Sequence, residues 1–185
     1  MNPGYIVLIV AVVIGGWVIL AYNGLVRLRI RAEEAWRGID TQLKRRWDLI
    51  PNLVATVKGY ATHEESVFRE VTEARARAVN ASGPAEQAAA DAGLAGALKT
   101  LFAVAENYPE LKANTNFLQL QGSLETLEQE IERARRYYNA VVRDYNTRIA
   151  VFPNNLISGL FRFTPRDFYK LDDAEQREAP EVSFK

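Results

Sequence analysis

The hydrophobic and polar positions divide the chain into one uniformly apolar stretch and a longer part in which apolar residues recur at regular intervals. The apolar stretch, YIVLIVAVVIGGWVILAY, has eighteen residues from Tyr5 to Tyr22 and no charged side chain. As a helix it would rise about 27 Å, close to the thickness of the hydrocarbon core of a bilayer. The pattern predicts a transmembrane helix over residues 5–24. A cleaved signal peptide is the alternative, and the lack of a basic residue before the apolar run disfavours it.

Basic residues follow the apolar stretch and are absent before it. Seven Lys and Arg side chains lie between positions 27 and 46, and none lies in residues 1–4. Basic flanks of a membrane span stay on the cytoplasmic side. We therefore expect a single-pass protein whose residues 1–4 form a short external N-terminus and whose remaining chain lies in the cytoplasm.

Beyond the apolar stretch, apolar residues return every three or four positions, which is typical of helices with one buried face. The first helix continues out of the membrane, and Pro51 predicts that it ends near Trp47. A second helix would then begin with Pro51 in its first turn, and the sequence NASGP at positions 80–84 separates it from an alanine-rich third helix. The predicted fold is all-α, with the transmembrane helix continuing into an elongated antiparallel bundle of about four long helices.

The fourth predicted helix begins at Pro109 and has the clearest periodicity. Its apolar positions alternate steps of three and four, as in a coiled coil. These positions are Phe117, Leu120, Leu124, Leu127, Ile131, Ala134, Tyr138, Val141 and Tyr145.

After Pro153 the periodicity stops, although apolar residues remain frequent as far as Tyr169. Three positions for this segment stay open: against the bundle, against a neighbouring subunit, or on the bilayer surface. The division along the chain is therefore a cytoplasmic bundle of residues 25–152 and a C-terminal segment and tail of residues 153–185.

The amino-acid composition limits the kinds of binding or catalytic site that the chain can contain. The chain has 23 basic and 23 acidic side chains, no cysteine and one histidine. The balanced charge argues against a nucleic-acid partner. The lack of cysteine excludes thiolate sites, and a single histidine cannot form a zinc site that needs two. We expect no cofactor, no bound metal and no catalytic residue. A metal or proton-transfer group built on His63 and Glu64 is the alternative.

Several polar motifs are candidates for interaction or structure. A basic triplet is followed by Asp48, and it would bind an acidic partner or lipid, or end a helix against the negative end of its dipole. Two Tyr-Asn pairs stand seven residues apart on one helix face, where they would line a groove or hold helices in register. The candidate residues are Lys44, Arg45, Arg46, Asp48, Pro51, Asn52, His63, Glu64, Tyr138, Asn139, Tyr145 and Asn146.

Taken together, the segments YNGLV, EEAWRGIDTQLKRRWDLIPNLVATVKGYATHE, AENYPELKANTNFLQLQ, ARRYYNAVVRDYN, FPNN and PEVSF resemble the LemA family of bacterial membrane proteins. The resemblance implies a single N-terminal span, a short outer N-terminus and a helical cytoplasmic domain in the bacterial plasma (inner) membrane. It implies no reaction. Trp47 stands where a histidine is common in the family, and Leu127 where a small polar residue is common.

These observations predict a non-enzymatic, membrane-anchored scaffold or adaptor that acts through protein–protein contacts. Its expected partners are the membrane, further copies of itself, and other membrane or cytoplasmic proteins. Two alternatives remain: a protein that binds or shapes the lipid surface, and a metal-dependent hydrolase.

Overall fold

The computed structural model describes residues 3–170, and within that range the chain forms helices and no strand. This confirms the all-α prediction and the continuation of the apolar N-terminal helix into a helical bundle. Residues 1 and 2 of the predicted external N-terminus and residues 171–185 of the predicted tail lie outside the described range. The helices are α1 Pro3–Lys58, α2 Glu65–Asn80, α3 Gly83–Ala105, α4 Pro109–Lys112, α5 Thr115–Ala150 and α6 Asn154–Leu160.

The predicted end of the first helix near Trp47 is wrong, because α1 runs through Pro51 as one helix of 56 residues. Proline has no N–H, so it cannot donate to the carbonyl four residues earlier, which here is that of Trp47. In the structure that carbonyl accepts a hydrogen bond of 2.8 Å from Nε of Arg75 on α2. A side chain from another helix thus replaces the donor that Pro51 lacks, and α1 ends only at the turn before α2.

The predicted start of the fourth helix at Pro109 is also wrong. Pro109 begins the short α4, which ends at Lys112, and α5 starts anew at Thr115. Asn114 causes the break, since its Oδ1 accepts a 3.0 Å hydrogen bond from the amide of Phe117 and so caps the first turn of α5.

The chain divides into two compact units. Of the described residues, the first unit comprises 3–43 with Thr126–Phe168, and the second comprises Lys44–Glu125 with 169–170. In the first unit, one apolar stripe of α1 is buried together with the seam of α5. Its buried apolar residues include Leu25, Ala32, Ile39, Ile131, Tyr138, Val142, Tyr145 and Ile149.

The second unit buries the last part of α1 with α2, α3 and the start of α5. Its buried apolar residues include Trp47, Ile50, Leu53, Phe68, Val71, Leu94, Leu101, Leu111, Phe117 and Leu124. Phe102 and Phe117 meet edge to face in this core, with their ring centroids 6.1 Å apart.

Between residues 3 and 170, two helices, α1 and α3, are long and apolar enough to cross a membrane. Only 6 % of the apolar window of α1 is buried inside the protein, compared with 39 % for α3. The side chains of α1 between Tyr5 and Ile14 therefore lack a protein covering, which a bilayer would supply, while a larger share of α3 is covered by protein.

Candidate interaction site

The C-terminal segment of the first unit is held against α5 by a row of side chains. We call residues 163–168, which follow α6 without helical structure, the strap. The hydroxyl of Tyr138 donates a 2.8 Å hydrogen bond to the backbone carbonyl of Asp167. The hydroxyl of Tyr145 donates a 3.0 Å hydrogen bond to the carbonyl of Thr164. The two tyrosines are one heptad apart on the same face of α5, so they bind the strap at two successive points.

Asn146 makes a double contact between these two points. Its Nδ2 donates to the carbonyl of Arg166 and its Oδ1 accepts from the amide of the same residue, each at 2.9 Å. One side-chain amide thus pairs with both hydrogen-bonding groups of one peptide residue. The guanidinium of Arg166 also pairs with the carboxylate of Glu33 on α1, so the strap is bound to both long helices of the first unit.

The two tyrosines that bind the strap are themselves buried, each with 1 % of its surface exposed. Burial raises the pKa of Tyr138, the positive charge of Arg166 lowers it, and Asp167 raises it. Burial likewise raises the pKa of Tyr145, against the opposing effect of nearby Arg166. The net effect at both residues favours the neutral hydroxyl, which is the form that donates a hydrogen bond.

This arrangement shows where the predicted Tyr-Asn pairs lie. Tyr138, Tyr145 and Asn146 are brought together on the strap, while Asn139 is half-buried on α5. Of the C-terminal segment, for which three positions are open, the strap and Ile157 of α6 pack against the helices of the first unit. The contacts between the strap and these side chains leave no signal in the sequence, because the tyrosines and Asn146 bind backbone atoms, which every residue has.

The basic triplet does not form one surface patch. Lys44 and Arg45 are exposed, but Arg46 is 2 % exposed and its guanidinium forms an ion pair with the buried carboxylate of Asp91 on α3. The prediction that the triplet ends a helix is wrong, since α1 continues beyond it. Arg46 therefore belongs to the core of the second unit.

A signal for the burial of Arg46 was present in the sequence. Arg46 falls on the buried stripe of α1, which alternates steps of four and three. The members of this stripe are Ile39, Leu43, Arg46, Ile50, Leu53 and Val57. The predicted helix end near Trp47 leaves out the later members of this stripe, Ile50, Leu53 and Val57, which show its register most clearly.

The remaining candidates of the second unit are dispersed. Asp48, Asn52 and His63 are exposed, and Glu64 is half-buried next to the first residue of α2. Pro51 is exposed within α1, where its effect is on the Trp47 carbonyl. Within residues 3–170, no three His, Cys, Asp or Glu side chains come together in a way that would hold a metal ion.

The chain matches one protein family and is similar in sequence to several known proteins. The model of the LemA family matches residues 35–184. Magnetosome protein MamQ 2 of Paramagnetospirillum magneticum is 25 % identical over 178 residues, covering 82 % of this chain and 65 % of that protein. Magnetosome protein MamQ of Magnetospirillum gryphiswaldense is 24 % identical over 177 residues with the same coverage. Protein LemA of Metamycoplasma hominis is 27 % identical over 140 residues, covering 74 % of this chain and 63 % of that protein.

The chain therefore spans slightly less than two thirds of the length of these relatives. Neither the family description nor the names of the relatives indicates a reaction. Together with the apolar start of α1, they support association with a membrane.

Proposed function

This chain belongs to the LemA family, and from that premise we propose that it is a membrane-anchored helical scaffold that acts through protein–protein contacts, including contacts between copies of itself. The observation that carries the proposal is the way α5 holds the strap. Tyr138, Tyr145 and Asn146 bind four backbone groups of an extended segment. A surface that binds main-chain atoms in this way accepts an extended peptide with little regard to its side chains.

In the described structure the strap of the same chain occupies this surface. Self-association follows if the strap of one copy binds to α5 and α1 of another copy, which would form the same hydrogen bonds between chains. Exchange of an identical segment is a low-cost route to a dimer, because no new interface has to be built. The apolar side chain of Tyr137, 56 % exposed on the same helix, offers further surface for contact.

The ion pair between Glu33 and Arg166 provides a direct test of exchange. The chain has no cysteine, so Glu33→Cys and Arg166→Cys can be placed singly in two differently tagged copies that are expressed together. A short bismaleimide reagent then joins the two tags in intact membranes only if Arg166 of one copy lies on Glu33 of the other. We expect a crosslinked product that carries both tags.

Two controls show whether a crosslinked product comes from strap exchange between copies. Each single variant expressed alone reports any contact between two equivalent positions, and the double variant in one copy reports the strap bound to its own chain. A product confined to the double variant, running as a monomer, together with a strictly monomeric protein in mild detergent at high concentration, would contradict self-association.

The proposal also includes an orientation. The basic residues after the span support a C-terminal domain in the cytoplasm, at the inner membrane of a bacterium, with the N-terminus outside. A reporter enzyme fused after Lys185 tests this. Activity in the cytoplasm is expected, and activity only outside the cytoplasm would reverse the orientation while leaving the strap and its contacts unchanged.

A further inference from the structure

The turn around α6 in the first unit exposes an unusual number of large apolar side chains. Phe152 is 78 % exposed, Leu156 is 61 % exposed and Leu160 is 73 % exposed. Leu156 and Leu160 are four residues apart and lie on one face of α6, and Phe152 lies in the turn before that helix. Val151 and Phe161 flank them, with 43 % and 47 % of their surfaces exposed. We call residues 151–161 the elbow.

The opposite face of the elbow is anchored to the end of the membrane-spanning helix. Ile157 is buried in one cluster with Ala21, Leu25, Tyr145 and Ile149. Trp17 and Val18, which lie inside the predicted span, pack against this same cluster. Trp17 and Leu25 are about 12 Å apart along α1, so the elbow is fixed across the level at which the span ends.

Aromatic contacts also connect the C-terminal end of the elbow to the end of the predicted span. The ring of Tyr22, the last residue of the apolar stretch, lies 4.7 Å from that of Phe161 and 5.8 Å from that of Phe163. Tyrosine and tryptophan favour the level of the lipid headgroups, where one end of the side chain is apolar and the other is hydrated. With Tyr22 at that level, the exposed face of the elbow would begin at the depth where a bilayer changes from headgroups to acyl chains.

We infer that the elbow is a lipid-binding surface, with Phe152, Leu156 and Leu160 inserted among the upper acyl chains of the leaflet next to Tyr22. The occupant is the bilayer in which α1 is itself anchored. The same bilayer would cover the neighbouring apolar side chains of α1, among them Ile19 and Leu20, which are 61 % and 70 % exposed. The elbow thus extends a lipid-facing surface that the span already has.

Two basic side chains, Arg29 and Arg162, lie near the C-terminal end of the elbow. The guanidinium of Arg29 lies over the ring of Phe163, 5.5 Å from its centroid. Arg162 follows α6 with a left-handed backbone conformation, φ 55°, a position at which glycine is usual. The exposed Arg162 thus supplies a cation at the edge of the apolar face, which suits anionic lipid headgroups.

The inference does not depend on the scaffold function, and the full-length protein in vesicles tests it. Single cysteines at Leu156 and Leu160 are labelled with an environment-sensitive fluorophore after reconstitution into an equal mixture of phosphatidylcholine and phosphatidylglycerol. Lipids that carry a nitroxide near the top of the acyl chain then quench any label that lies among them. Ile19→Cys is the positive control, and it shows that the span is inserted.

Gln129→Cys is the matched control for a position in water. Gln129 is exposed on α5, twenty residues and about 30 Å before Ile149. We expect blue-shifted emission from Leu156→Cys and Leu160→Cys, and quenching at least about twofold stronger than from Gln129→Cys, because only the elbow lies at the depth of the nitroxide.

Two results would overturn the inference. Emission and quenching equal to those of Gln129→Cys would show that the elbow lies in water. Blue-shifted emission that nitroxide lipids do not quench, and that returns to the aqueous value when the protein is diluted with excess lipid, would show that a second copy covers the elbow instead.

Discussion

Nε of Arg75 donates a 2.8 Å hydrogen bond to the backbone carbonyl of Trp47, the carbonyl that Pro51 leaves without its usual helical donor. This contact joins α2 to α1 at the point where an interior proline would otherwise weaken the helix. It explains how α1 can carry a proline and still continue to Lys58.

The first prediction concerns this contact. Arg75→Met keeps much of the volume of the side chain but removes the donor, and we expect a loss of about 1.5–3 kcal/mol in the free energy of unfolding. Denaturant unfolding of the detergent-solubilised protein, followed by helical circular dichroism, measures it.

The matched control is the same substitution in a Pro51→Ala background. Replacing the proline by alanine restores the backbone N–H that donates to the Trp47 carbonyl, so Arg75→Met should cost much less there. Equal losses in the two backgrounds would mean that the role of Arg75 does not depend on the proline.

The second prediction concerns the buried ion pair of Arg46 and Asp91, whose side chains are 2 % and 5 % exposed. Asp91→Ala leaves the Arg46 charge buried without its partner, and we expect a loss of about 3–5 kcal/mol on unfolding. The double substitution Arg46→Met with Asp91→Leu removes both charges and should recover most of that loss. A loss below about 1 kcal/mol for Asp91→Ala would contradict the burial of the pair.

The third prediction concerns the hydroxyl groups that hold the strap. Tyr138→Phe and Tyr145→Phe each remove one hydrogen bond to a strap carbonyl, and we expect each to lower the free energy of unfolding by about 0.5–1.5 kcal/mol. Tyr137→Phe is the matched control, since Tyr137 is 56 % exposed on the adjacent position of α5. If all three substitutions had the same effect, the two buried hydroxyls would have no special role.

The fourth prediction concerns the backbone of Arg166, whose amide donates to Oδ1 of Asn146 at 2.9 Å. Asn146→Ala removes this acceptor, so the Arg166 amide should exchange its hydrogen with solvent faster than in the wild-type protein. Hydrogen–deuterium exchange measured on peptides that cover the strap reports the change. Unchanged exchange across the strap would show that Asn146 does not hold it.

The fifth prediction is a pH dependence. The pKa values of Tyr138 and Tyr145 are raised in the folded protein, chiefly by burial. The neutral hydroxyls therefore contribute stability that is fully present below the unfolded pKa of about 10 and is lost as the pH rises through the higher folded values.

We expect the strap to detach as the tyrosines ionise in alkaline solution, which tyrosinate absorbance and proteolysis of the strap measure together. The double variant Tyr138→Phe with Tyr145→Phe should lose less stability over the same alkaline range. An equal loss in both proteins would assign the alkaline effect to other groups.

The sequence predicted the helical class, the long first helix leaving the membrane and most of the buried seam of α5, because each depends on a repeating apolar pattern. Where helices end depended on single polar contacts. Arg75 keeps α1 helical through Pro51, and Asn114 starts α5 after a short separate α4. Neither contact has a periodic signature, so both boundaries were predicted wrongly.

The candidate site was predictable to a similar extent. The Tyr-Asn spacing marked the residues of α5 that bind something, since polar groups recurred on one helix face. Their ligand was not predictable, because the strap is recognised by its peptide groups and its sequence from 163 to 168 has no regular pattern. Arg46 has the same charge as Lys44 and Arg45 and follows them directly in the sequence. Its position on the apolar stripe of α1 nevertheless buries it, while the other two are exposed.

The hydrogen bonds of Asn146 to the backbone of Arg166 affect which residues of this segment can be replaced. Hydrogen bonds to main-chain atoms survive replacement of the side chains beside them, and the exposed Thr164 and Asp167 accept hydrogen bonds from the tyrosines through their backbone carbonyls. Substitutions at those two sites should therefore be tolerated more readily than substitutions of Tyr138, Tyr145 and Asn146, whose side chains make the hydrogen bonds.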